Sequence, residues 1–174
     1  RTGTTFLHNL LRQDSRLRAP LHWELVEPIP AHGVPGGEAH IAAVQERLMH
    51  YTALLGGNRG KRGQAGAFDG IHPMDARMAE ECIVTLAHEF ASYLFSATYD
   101  VEGYTHWLLD RRSHGRAMRW HRRVLQYLQL RSRDLGHATS SGYGDVRWLL
   151  KTPQFTMQLD DIVLEYPDAI IIHT

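Results

Sequence analysis

Apolar residues along this chain recur mostly at helical spacing, with two short runs of a different kind near the end. Behind a threonine pair, Phe6, Leu7, Leu10 and Leu11 predict a helix over residues 4–12, with Gly3 as the turn before it. Residues 21–34 carry Pro28 and Pro30, with Pro35 just beyond, which denies them a regular helix and predicts a connecting loop or short extended piece. Helical spacing resumes over 38–55 through Ile41, Val44, Leu48, Tyr51 and Leu55. A long amphipathic helix is expected over 76–97, its stripe formed by Met78, Cys82, Leu86, Phe90, Tyr93, Leu94 and Ala97. Glu80 and Glu81 then sit in its first turns, where acids favour the helix dipole. A second long helix, over 113–133, collects Ala117, His121, Val124, Leu125 and Leu128 on one face and leaves arginines around the other.

Glycines punctuate residues 56–66, which reads as a flexible surface loop, and residues 136–144 read as a polar, turn-rich connection. The run V-R-W-L-L-K that follows suits a buried strand, residues 157–165 a helix ended by Tyr166-Pro167-Asp168, and A-I-I-I-H a further buried strand. Strand, helix and strand in that order form a right-handed βαβ unit with parallel strands. The predicted fold class is therefore α/β, a parallel sheet flanked by helices. Residues 1–174 are read as one domain, with a large helical insertion over about 38–135.

Composition narrows the possibilities. With 174 residues the chain is long enough to bury roughly 70% of the surface its unfolded form exposes, so a core needs no staples. The 19 basic and 19 acidic residues cancel, which removes any global field for nucleic acid or an anionic membrane. Anion binding, if present, has to be local. Cys82 has no partner for an internal disulfide and suits a reducing compartment, and no apolar run approaches the roughly 20 residues of a membrane span, so a cytoplasmic location is expected. The chain opens on Arg1 rather than methionine, from which we expect sequence to precede it.

Two local features carry chemistry. In R-T-G-T-T a glycine turn precedes a helix N-terminus with two hydroxyls, and exposed N–H groups there make a site for phosphate-like anions; hydroxyl residues also cap ordinary helices. The arrangement is P-loop-like, yet Thr4 stands where the nucleotide-binding pattern G-K-[ST] requires lysine, and Arg1 is placed to fill that gap. Lys151 ends W-L-L-K at the carboxyl end of a strand, where ligands gather in open α/β sheets. It is one of only two lysines, the other being Lys61.

As a set these motifs resemble those of the sulfotransferase family. R-T-G-T-T-F-L looks like its 5′-phosphosulfate loop, W-L-L-K-T-P like its lysine-bearing strand, and Y-P-D-A-I-I-I-H-T like the strand leading to its 3′-phosphate site. E-E-C-I-V and Y-T-H-W-L-L resemble bacterial members with helical insertions. The resemblance implies transfer of a sulfuryl group from 3′-phosphoadenosine-5′-phosphosulfate (PAPS) to a hydroxyl, or an amine, of a small-molecule or carbohydrate acceptor. It implies that Arg1, Thr2, Gly3, Thr4 and Thr5 hold the 5′-phosphosulfate and that Lys151 and Arg1 steady the group in flight.

For the general base, Pro153 occupies the place of the histidine found in cytosolic members, whereas other branches use a glutamate after the first helix. Glu24 in H-W-E-L-V-E-P lies in that region, His22 is the alternative, and Glu27 and His72 stand behind them. The family's 3′-phosphate clamp follows the strand that ends at Thr174, so the chain alone is expected to bind PAPS weakly and to transfer nothing at a useful rate. Two other readings remain open: a P-loop-type kinase, and a non-catalytic helical interaction module on a degenerate fold of this kind. No H-E-x-x-H or Cys/His cluster is present among the 12 histidines, so no metal is expected.

Overall fold

The computed structural model describes residues 3–57, 74–110, 114–134 and 146–174. Its elements run α1 (Thr4–Leu11), β1 (Leu17–Arg18), α2 (His22–Val26), α3 (Glu38–Gly57), α4 (Ile83–Ala87), α5 (Tyr93–Thr98), α6 (Glu102–Asp110), α7 (Gly115–Asp134), β2 (Arg147–Trp148), a 3-10 turn (Pro153–Met157) and α8 (Leu159–Glu165). Helix dominates. The sheet is a parallel pair in which Leu17 faces Arg147 and Arg18 faces Trp148. Arg147 N–H to the Arg16 carbonyl (2.8 Å) and Leu149 N–H to the Arg18 carbonyl (2.9 Å) complete its ladder. The Arg18 guanidinium lies 4.4 Å from the centre of the Trp148 ring, a cross-strand cation–π contact worth about 0.5–1 kcal/mol.

The chain forms two compact units, Arg1–Pro20 with Glu81–Thr174, and Leu21–Glu80. In the first, Leu86, Ala91, Leu108, Ala117, Met118 and Ile162 make the core, with Tyr104, Phe155 and Tyr166 packed against it. Each large side chain there contributes about 1.5–3 kcal/mol by leaving water. The buried Gln154 joins two segments of this unit: its amide nitrogen donates to the Ala91 carbonyl and its oxygen accepts the Tyr93 N–H, both at 2.7 Å. Helix α7 buries Ala117, His121, Val124, Leu125 and Leu128, the face predicted from spacing. At its start the His114 N–H donates to Asp161 Oδ2 at 2.6 Å.

In the second unit α2 packs on α3, and Ile41, Val44 and Ala76 are covered by Trp23 and Val26. Gly36 has φ 71°, and a Cβ on it would come within 2.9 Å of the Trp23 ring, so both backbone and space require glycine there.

Several expectations are corrected. The helix expected over 76–97 is broken into α4 and α5. Upstream, Leu21 and Ala79 form an antiparallel bridge and the His22 N–H bonds to the Met78 carbonyl, so these backbone groups serve long-range pairing rather than a helix. Downstream, Phe90 takes a left-handed φ of 52° and Ser92 starts a new helix by accepting the Leu94 N–H. Phe90 and Tyr93 are consequently exposed instead of lining a stripe. Residues 21–34 are not all loop, because α2 forms ahead of the prolines.

The largest departure is at the end. Residues 170–173 form no strand among the described residues, and Ile170 is 79% exposed. The expected βαβ pair is therefore replaced by β1 with β2, and β1, only two residues long, has no periodicity by which to be predicted. The 136–144 connection and all but the first two residues of the 56–66 loop lie outside the described residues.

Candidate active site

Gly3 stands at the head of α1 with φ 77°, a left-handed conformation that suits glycine, and a Cβ built on it meets nothing within 4 Å. Open space therefore lies before the loop. The first intrahelical bond runs from the Leu7 N–H to the Gly3 carbonyl at 2.9 Å, so the helix itself does not use the N–H groups ahead of Leu7. Those groups and the positive end of the helix dipole favour an anion.

Lys151 comes to this same end of α1. Its Nζ donates to Thr5 Oγ1 at 3.3 Å and forms an ion pair with Glu81 Oε1 at 2.8 Å. Lys151 lies three residues beyond the carboxyl end of β2, after the half-buried Leu149 and Leu150. Next to it, the Cys82 N–H donates to the carbonyl of Lys151 at 2.9 Å, and Cys82 is buried and forms no disulfide. On the other side Thr4 Oγ1 and Thr174 Oγ1 are hydrogen-bonded at 2.9 Å. The loop, the lysine and the last residue of Y-P-D-A-I-I-I-H-T thus meet in one unit.

Beneath them lies His8, on the buried face of α1. Burial, and next the charge of Lys151, hold its pKa below the ordinary 6.5, against an opposing hydrogen bond with the Leu149 backbone. Its Nε2 is buried with no hydrogen-bond partner among the described residues. A neutral imidazole here keeps a second positive charge away from Lys151.

The base candidates belong to the second unit. Glu24 is buried, and its Oε2 accepts the Leu21 N–H at 2.8 Å as a cap of α2. His22 is also buried, with Nδ1 3.3 Å from Glu80 Oε2. Glu27 pairs with Arg47 and lies 3.5 Å from His40 Nε2. Arg1, Thr2 and His72 lie outside the described residues. Glu81, His8 and Thr174 escaped the sequence reading as site residues; the acidic pair in E-E-C was visible but was assigned to a helix's first turns. Among the described residues there is no cluster of His, Cys, Asp and Glu fit to hold a metal ion.

A glycine-turned helix N-terminus and a strand-end lysine beside its second hydroxyl thus meet in a mostly helical chain with a small parallel strand pair. The chain belongs to the sulfotransferase family, whose model matches residues 1–174. Its structure is similar to that of the sulfotransferase STF1 from Mycobacterium tuberculosis H37Rv, with a TM-score of 0.68 and 28% identity over 98% of this chain and 41% of that one. It shares the fold of the sulfotransferase STF9 from Mycobacterium avium, with a TM-score of 0.64 and 24% identity over 97% of this chain and 38% of that one. The chain thus spans about two fifths of the length of these solved structures. None of the curated proteins matches it.

Proposed function

We propose that this chain carries the donor site of a sulfotransferase that moves a sulfuryl group from PAPS to a hydroxyl, or an amine, of a small-molecule or carbohydrate acceptor. The observation that carries this reading is the convergence of Thr5 and Lys151, 3.3 Å apart, at the open N-terminus of α1. PAPS, when bound, supplies the sulfuryl group and accepts the negative charge left on its bridging oxygen. Gly3, Thr4 and Thr5 fit the phosphosulfate end of such a donor because they present N–H and hydroxyl groups without a side chain in the way. Arg1 and Thr2 join them in this proposal as the loop's opening residues. Lys151 offers a fixed cation where charge develops, a stabilisation that grows in the transition state and needs no metal.

For the acceptor's proton we assign Glu24 as base, with His22 as the alternative. As the S–O bond to the donor phosphate breaks and one to the acceptor oxygen forms, the acceptor proton passes to the Glu24 carboxylate. The test is Glu24→Gln, whose amide oxygen still accepts the Leu21 N–H. PAPS binding is expected to persist while sulfuryl transfer to a panel of acceptors falls on the order of a hundredfold or more. An active Glu24→Gln beside an inactive His22→Ala would move the base to His22. No transfer from labelled PAPS by the full-length protein to any acceptor would sink the reading.

A further inference from the structure

Lys151 is held from two directions by the segment that enters α4. The Glu81 carboxylate pairs with its ammonium at 2.8 Å, and the N–H of the next residue, Cys82, bonds to its backbone carbonyl at 2.9 Å. Both charged side chains are mostly buried, at 10% and 20% exposure. A four-carbon stem of this kind has many rotamers, and a strand end fixes none of them beyond its first bond. Two of the three ammonium protons are accounted for by Glu81 and Thr5 Oγ1, and the third has no acceptor among the described residues.

We propose that Glu81 is the positioning residue of Lys151: it fixes the ammonium beside Thr5, so that the remaining N–H faces an anion entering the α1 loop. The inference rests on the reading of Lys151 as the transfer-site cation. The backbone bond from Cys82 sets the distance between the two segments, and the carboxylate then selects one lysine rotamer from the many. Glu81 also offsets the lysine charge while the site is empty, so the burial of a lone cation is avoided. An entering sulfuryl oxygen meets a pre-aimed donor and has no rotamer search to complete. Glu81 itself touches neither the reacting atoms nor the acceptor in this arrangement, and its effect passes through Lys151.

The chain has only two lysines, so their reactivity toward an amine-acylating reagent is read separately by peptide mass spectrometry. An ammonium held by a carboxylate must leave that contact and shed its proton before it can attack. In the absence of any donor, Glu81→Gln is expected to raise the acylation rate of Lys151 severalfold and leave that of Lys61 unchanged. Glu81→Asp, which keeps the charge on a shorter stem, falls between. With PAPS and an acceptor, Glu81→Gln lowers kcat on the order of tenfold without weakening PAPS binding, and it adds no further loss in a Lys151→Ala background.

An unchanged Lys151 rate in both variants overturns the proposal. So does an equal rise at both lysines, which assigns Glu81 to general stability. A further loss of turnover in the Lys151→Ala background also overturns it, because Glu81 then acts on the acceptor directly. If Lys151 labels as expected but the full-length protein, parent or variant, transfers no sulfuryl from PAPS, the Glu81–Lys151 pairing stands and the donor assignment falls.

Discussion

Lys151 is the cation on which the proposed transfer depends. Replacing it with alanine removes a preorganised cation and is expected to lower sulfuryl transfer on the order of a hundredfold. It also leaves the Glu81 carboxylate, 20% exposed, without its ammonium partner, and urea unfolding should register a loss of about 1 kcal/mol, limited by the water that reaches the pair. Undiminished turnover in Lys151→Ala would remove the residue from the mechanism. The lysine itself was legible from W-L-L-K, as were Gly3, Thr4 and Thr5 from their place before a helix. Its partner Glu81 was not, since nothing local marks a glutamate that pairs with a residue far along the chain. Glu24 was legible as a carboxylate beside Trp23, but its capping of Leu21 depends on the turn formed there.

At the scale of elements, the segment between Glu81 and Thr98 shows how a periodic stripe can mislead. Its apolar spacing continues past Leu86, yet α4 ends at Ala87, the chain turns through Phe90, and α5 begins after Ser92. Ser92 is fully buried, and its hydroxyl donates to the Ile83 carbonyl at 2.7 Å while accepting the Leu94 N–H at 3.2 Å. Tyr104 reinforces the same turn by accepting the Ser92 N–H at 3.0 Å. Ser92→Ala loses the cap of α5 and strands the neighbouring groups, so we expect a loss of about 1–2 kcal/mol, measured as a lower urea midpoint with an unchanged slope. A stability equal to the parent's would show that the turn is held by Tyr104 and Gln154 alone. Helix α7 is the opposite case: 20 residues with one apolar face form as predicted, because a periodicity that long outweighs any single competing contact.

For the molecule as a whole, acid is expected to weaken the fold through its buried histidines. His121 is wholly buried, sits between Phe155 and Tyr166, and has its pKa pushed down to about 4 by that burial. Its Nδ1 and the Tyr166 hydroxyl lie 2.7 Å apart, and burial in turn pushes the Tyr166 pKa well above its ordinary value. Because the unfolded chain protonates His121 near 6.5 and the folded one only near 4, its contribution to stability is complete above pH 6.5. It is lost progressively as pH falls toward 4, by up to about 3 kcal/mol, and His8 acts in the same direction. Urea unfolding at pH 7 and pH 5 should show this slope in the parent and a shallower one in His121→Gln; identical slopes would assign the acid sensitivity elsewhere. Family, helix periodicity and the loop and lysine motifs were readable in the chain because each is written within a few consecutive residues. The meeting of Thr5 with Lys151 and of Thr4 with Thr174, 146 and 170 residues apart, was decided only in three dimensions, as were the Glu81 ion pair and the break at Phe90. Such contacts depend on which backbone groups find partners once the core of α4, α7 and α8 has closed, and no local pattern encodes that choice.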